Sequence, residues 1–196
     1  MPNNSNNDLD VFNAQELRTR MDILHAVDKS LDRMTVAEIC KNAGVSRQTF
    51  YRFFESKYDI PCWHTMYCRR FYLNEIGRTI SWETGYYHHF RLILQEYDFY
   101  SKSIQYSVNT PFGRSILPED RKKVLLETLE KWRHESLTRN MLFIVETFAR
   151  LECEVLNDWL RSSRPPDLDV WTDDVISIVP ARLFLALDIK ESKGTL

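Results

Sequence analysis

The chain has 196 residues, 43% of them hydrophobic and 28% charged, with a formal net charge of −2, the make-up of an ordinary globular protein. Its 11 Phe, 9 Tyr and 5 Trp exclude disorder throughout, and a count of only 5 Gly and 7 Pro excludes a turn-rich β-sandwich or barrel. Residues 1–17 are polar and acidic, unlike a secretory signal; no run is apolar enough to span a membrane; and four scattered cysteines make no disulfide framework. The expectation is an all-α, cytoplasmic protein with no membrane partner.

Charge is unevenly spread. Residues 18–57 carry eight bases against five acids, whereas residues 58–196 carry 18 bases and 20 acids. A basic module on a slightly acidic body suits a polyanion-binding head, although a segment of +3 equally suits a solvated face.

In chain order, the Asn-rich residues 1–13 read as a disordered arm. Leu17, Met21, Leu24 and Val27 recur at helical spacing and predict a helix from Ala14 to Ser30. Thr35-Val36-Ala37-Glu38 has the form of a capping box and opens a short helix with Val36, Ile39, Cys40 and Ala43 inward. Gly44 stands at its natural end, and Ser46 caps a third helix running to about Phe53. Ser56 to Asp59 offers a second capping box, in its Asp form, and predicts a long helix from Lys57 to about Ile80. Further helices are predicted over Tyr86–Ser101, Glu119–Ser136, Leu137–Leu160 and Val170–Leu187, the last kinked or broken by Pro180. Val108–Pro118 and Arg161–Asp169 read as connections. The expected organisation is an arm (1–13), a helix-turn-helix head (14–57), a larger helical body (58–190) and a frayed tail (191–196).

A short helix, a glycine-centred turn and a second short helix form a helix-turn-helix, a joint that any helical domain can contain. The third helix divides its faces in a telling way. Val45, Phe50 and Phe54 fall on one side, while Arg47, Gln48, Tyr51 and Arg52 fall on the other, where a core would not want them. Arg offers two donors to guanine and Gln pairs with adenine, while hydroxyls and Lys reach phosphate oxygens.

The stretch Thr35 to Lys57, with its Ala-Gly-Val-Ser turn, Thr-Phe-Tyr core and Phe-x-Ser-Lys exit, closely resembles the DNA-binding head of the tetracycline-repressor family. That resemblance implies base reading by Arg47, Gln48 and Arg52, and backbone contacts from Thr35, Ser46, Thr49, Tyr51 and Lys57. Phe53 departs from the pattern, standing where many members carry a polar residue or His. Thr49 to Trp63, with Lys-Tyr-Asp-Ile and then Trp, and the pair Trp159-Leu160 also resemble the subgroup containing the activator of dihydroxyacetone-kinase operons. The resemblance implies a homodimer on a near-palindromic duplex and an effector or partner protein acting on the body. Whether it represses, as most of the family do, or activates stays open.

The Leu137–Leu160 helix carries two apolar stripes, which demand two partners; charges at Glu146, Arg150, Glu152 and Asp158 oppose complete burial. It is therefore read as a dimer helix, with interface candidates Phe148, Leu151, Val155 and Trp159, joined by Ile176 and Phe184 from the last helix. An aromatic-rich middle makes Trp63, Tyr67, Phe71, Trp82, Tyr86, Phe90 and Tyr106 candidates for an effector pocket, against the alternative of a solidly packed core. No phosphate loop, nucleophile elbow or metal-ligand spacing is present, so no enzyme, metal or cofactor is expected.

Overall fold

The computed structural model describes residues 14–107, 110, 112–161 and 167–189. The expected arm and tail, with residues 108, 109, 111, 162–166 and 190, lie outside the described residues. Within them the chain is all-α, in ten α-helices joined by short 3-10 and π turns.

The head begins with α1 (Ala14–His25). It ends five residues before the predicted Ser30. There the Ser30 hydroxyl bonds the Asp32 carboxylate at 2.6 Å and a 3-10 turn, Leu31–Arg33, takes over; such local side-chain bonds compete with helix. In α2 (Val36–Ala43) the capping box forms as expected: Thr35 Oγ1 accepts the Glu38 N–H, and the Glu38 carboxylate accepts the Thr35 N–H at 2.8 Å. Gly44 closes the helix at φ +68°, a left-handed conformation that glycine adopts without Cβ strain. Ser46 caps α3 (Arg47–Phe53) through the Thr49 N–H. Phe50 and Phe54 are buried with Ile23, Leu24, Leu31, Met34 and Ile39, which makes the head's own core.

The body starts at α4 (Asp59–Arg69). Of the second capping box, the acid half forms, with Asp59 accepting the Ser56 N–H at 2.7 Å. The helix stops eleven residues before Ile80. A 3-10 turn, Leu73–Glu75, follows; Gly77 takes φ +79°, and Ile76 is buried against Gly85 so closely that a Cβ there would sit 2.3 Å from Ile76 Cγ1. The predicted Tyr86–Ser101 helix is two helices, α5 (Trp82–Gln95), capped by Ser81, and α6 (Tyr97–Ser107), which meet at Glu96. A π turn, Phe112–Ile116, leads into α7 (Leu117–Glu127), so Pro118 lies in a first helical turn. A second π turn, Thr128–Trp132, precedes α8 (Arg139–Arg161). Pro180 breaks the last predicted helix into α9 (Leu168–Ser177) and α10 (Ala181–Leu187).

Helix α8 packs on α6, α7 and α10, α4 on α5 and α6, and α5 on α9. The head is seated on α6: the Ser30 and Tyr106 hydroxyls meet at 3.0 Å, and His25 reaches Glu96 at 3.1 Å.

This packing places two sets of candidate residues. The aromatic residues assigned to a pocket stack on one another. Trp63 and Tyr67 stack along α4 with centroids 5.7 Å apart, and exposed Phe71, just past the end of the helix, meets Tyr67 edge-on at 5.1 Å; Trp82, Tyr86 and Phe90 form a ladder along α5, at 5.8 and 5.5 Å. Spacing of i, i+4 puts rings above one another on a helix, and Tyr86 and Phe90 also line a small cavity. Tyr106 sits apart from both, at the head–body seam beside Tyr58. Among the interface candidates, Phe148 is buried against Trp82, and Trp159 against Phe90 and Trp171, inside the single chain. Phe184 stacks on Trp82, while Val155 and Ile176 are half-buried; Leu151 alone of the six is exposed. Glu152, expected to resist burial, lies deep in the core.

Candidate nucleic-acid interface

The face of α3 turned to solvent carries Arg47, Gln48, Tyr51 and Arg52, all exposed, while Phe50 one residue away is fully buried. Burial of Phe50 and Phe54, in ring contact at 5.6 Å, thus dictates which side chains point outward. Gln48, Thr49, Tyr51 and Arg52 line an open concavity of about 450 Å3. Arg47 and Gln48 occupy the first turn of α3, the part of a recognition helix that meets base edges.

The hydroxyl and lysine candidates are structural as well as available. Thr35 uses its hydroxyl in the capping box, and Ser46 and Thr49 bond one another at 2.8 Å. Lys57 lies before α4 rather than in it. Its ammonium donates to the carbonyls of Met34, at 2.5 Å, and Asp32, at 3.4 Å, tying the exit of the motif to the start of α2. Arg52 is paired with Glu16 of α1. Phe53 lies between two cations, with Arg20 at 4.4 Å and Arg52 at 4.7 Å from its ring, so an aromatic residue suits the site.

Residues 26–60 match the family model described as bacterial regulatory proteins, tetR family. The head is a TetR-family domain. The whole chain shares its fold with solved TetR-type regulators. A TetR transcriptional regulator from Rhodococcus sp. RHA1 is 19% identical, with a TM-score of 0.59 over 90% of this chain and 100% of that one. The dihydroxyacetone kinase operon activator DhaS is 15% identical, with a TM-score of 0.55 over 87% of this chain and 98% of that one. A TetR regulator from Streptococcus agalactiae 2603V is 18% identical, with a TM-score of 0.52 over 84% and 95%. No curated sequence matches significantly. The TetR-type fold places α3 at the outer surface of the head and α4 as the passage from head to body.

The sequence passed over a second polar constellation. Arg69, Tyr86, His89, Arg121, Glu152 and Cys153 converge in the body and are buried. One signal could have revealed it: Glu152 lies within the apolar stripe Phe148, Val155, Trp159, where an acid needs a buried partner. That partner, Arg121, comes from a different helix at no fixed sequence spacing.

Proposed function

We propose that this TetR-type chain acts as a homodimeric DNA-binding transcriptional regulator, a repressor, in which α3 of each copy enters the major groove of a near-palindromic operator. One observation carries the reading: four exposed side chains with base- and phosphate-binding chemistry stand on a short helix anchored by buried Phe50. Base reading is assigned to Arg47 and Gln48, and phosphate contacts to Thr35, Ser46, Thr49, Tyr51 and Lys57. Arg52 joins the base readers once it leaves Glu16, an exposed pair of little stability. Dimerisation is assigned to the side of α8 and α10 where Phe143 and Leu185 are 68% and 73% exposed, beside Leu142 and Leu151. Arg182 of α10 donates to Asn140 of α8 at 2.9 Å and holds the two helices together there. Two heads on a two-fold axis then meet half-sites one helical turn, about 34–36 Å, apart.

Selection from a random duplex library, followed by mobility shift and sedimentation, tests this reading. Paired inverted half-sites bound by two copies are expected, with Phe143→Glu yielding monomers. Enrichment of no duplex, or binding by single copies alone, would overturn it.

Control of operator affinity by an effector is assigned to the body, through α4. Its aromatic residues are closely packed, and the cavity beside Tyr86 and Phe90, about 10 Å3, holds no more than a water, so an effector has to open the packing. The exposed apolar side chains also favour a second reading, in which a partner protein covers the body and the regulator activates. A kinase-operon activator shares the fold. Release of operator DNA by small molecules alone supports the first; a requirement for a protein partner supports the second.

A further inference from the structure

Three guanidiniums from three helices gather on one side of the head and its junction with the body: Arg20 of α1, Arg52 of α3 and Arg70, the cap of α4. Burial lowers the Arg20 guanidinium below its usual value; Glu16 opposes the shift, and Arg52 and Arg70 add to it. All three neighbours thus act electrostatically on Arg20, and these four groups together hold three guanidiniums to one carboxylate. None is closed off from solvent: Arg52 is exposed, while Arg20, Arg70 and Glu16 are half-buried.

The same side is aromatic. Arg20 lies over the Phe53 ring at 4.4 Å and the Trp63 ring at 5.8 Å. Trp63 stacks on Tyr67, and Phe71 meets Tyr67 edge-on with 50% of its own surface in water. A basic rim along an exposed aromatic strip is complementary to a segment that alternates acids with apolar residues.

Such a segment joins the structure beside this patch. Asp8-Leu9-Asp10-Val11-Phe12, outside the described residues, holds two acids, three apolar residues and no base. The chain enters α1 at Ala14, and Glu16 in the first turn is paired with Arg52. At about 3.5 Å per residue, Asp10 can reach about 14 Å from Ala14 and Asp8 about 21 Å, against a length of roughly 16 Å for α4. We propose that residues 8–12 cover this patch within the same copy, Asp8 and Asp10 pairing with the arginines and Phe12 packing on Tyr67 and Phe71. Two carboxylates then balance the excess of guanidinium charge, and Phe71 leaves water. The contact braces α1 of the head against the end of α4. It forms without DNA; its consequence rests on the operator reading, because acids held beside Arg52 compete with DNA phosphates for it.

The test puts the photocrosslinker benzoylphenylalanine at position 12 of the full-length protein, without DNA, and maps its adducts by peptide mass spectrometry. Failure here is therefore separate from failure of the operator reading. Adducts are expected within one copy, on Arg20 and on the stretch from Trp63 to Phe71. Adding Asp8→Asn and Asp10→Asn should lower their yield about threefold, as should high salt. Hydroxyl-radical footprinting reads the same patch without a crosslinker: Phe71 should oxidise faster in Phe12→Ser than in the wild-type protein. Adducts between copies, adducts on the α3 face at Gln48 and Tyr51, a yield indifferent to both Asp→Asn changes, or equal oxidation of Phe71 would each overturn the proposal.

Discussion

The head and the body are held together by opposite kinds of interaction. In the head, the helices are bounded by devices that act within a few residues: the Thr35–Glu38 box, the left-handed Gly44 and the Ser46 cap each close over three or four positions, with Arg52–Glu16 and Lys57–Met34 added as longer-range contacts. In the body the decisive bonds span long stretches of chain. Arg121 meets Glu152, Tyr86 meets Glu152, Arg69 meets Cys153 and Leu117, and Trp82 donates to the Phe184 carbonyl at 3.2 Å. A body built on buried polar partners is stable only when every partner is present, which makes it responsive to small chemical changes.

The sharpest way to break this contrast is at Glu152. Glu152→Leu leaves Arg121 charged and unpaired in the core, and should cost about 3–5 kcal/mol in chemical denaturation. The double variant Glu152→Leu, Arg121→Met should recover most of that loss. An equal loss in both variants would mean that packing, not charge pairing, organises the body.

Acid should also reach the body first. Burial lowers the His64 imidazole from its ordinary 6.5 to about 4, with His25 adding to the effect. Its Nδ1 lies 2.8 Å from the Tyr100 hydroxyl. The unfolded chain takes up this proton below pH 6.5 and the folded chain only near pH 4, so the stability concerned is complete above 6.5 and is lost as pH falls toward 4. Glu152 acts below that window. Burial alone would raise its carboxyl, but Arg121 holds it under the usual carboxylate value, and its contribution disappears as the pH falls through that lowered value. His64→Gln should lessen the decline between pH 6.5 and 4, the remainder coming from His89, which burial also holds well below the ordinary histidine value; denaturation curves through this range check it.

On the head, effects should be smaller and fall mainly on DNA binding. Arg47→Ala or Gln48→Ala should each cost about 1–3 kcal/mol and relax preference at one operator position. Lys57→Ala should weaken all sequences alike and reduce the salt slope by about one ion. Its bonds to Met34 and Asp32 add a loosening of the α2 start, visible as faster amide exchange there. The smallest effect belongs to Glu16→Gln. Freeing Arg52 should tighten binding to any duplex by less than about 1 kcal/mol and steepen the salt dependence. Unchanged binding would remove Arg52 from the interface.

The sequence alone determined the all-α class, the order of elements through α3, the outward face of Arg47, Gln48 and Tyr51, and the break at Pro180. Each follows from rules that act over one or two helical turns: a cap, a left-handed glycine, a missing N–H, the spacing of apolar residues. Tertiary structure decided the path of the chain after α1 and α4, where Ser30 and Ile76 meet Tyr106 and Gly85 from other parts of the chain. It decided that Trp82, Tyr86 and Phe90 stack along α5, and that Phe148 and Trp159 are buried within one copy. It also decided that Glu152 is buried. A charge enters a core only when a counter-charge is delivered to it from a distant segment, and no periodicity in the sequence records which segment that is.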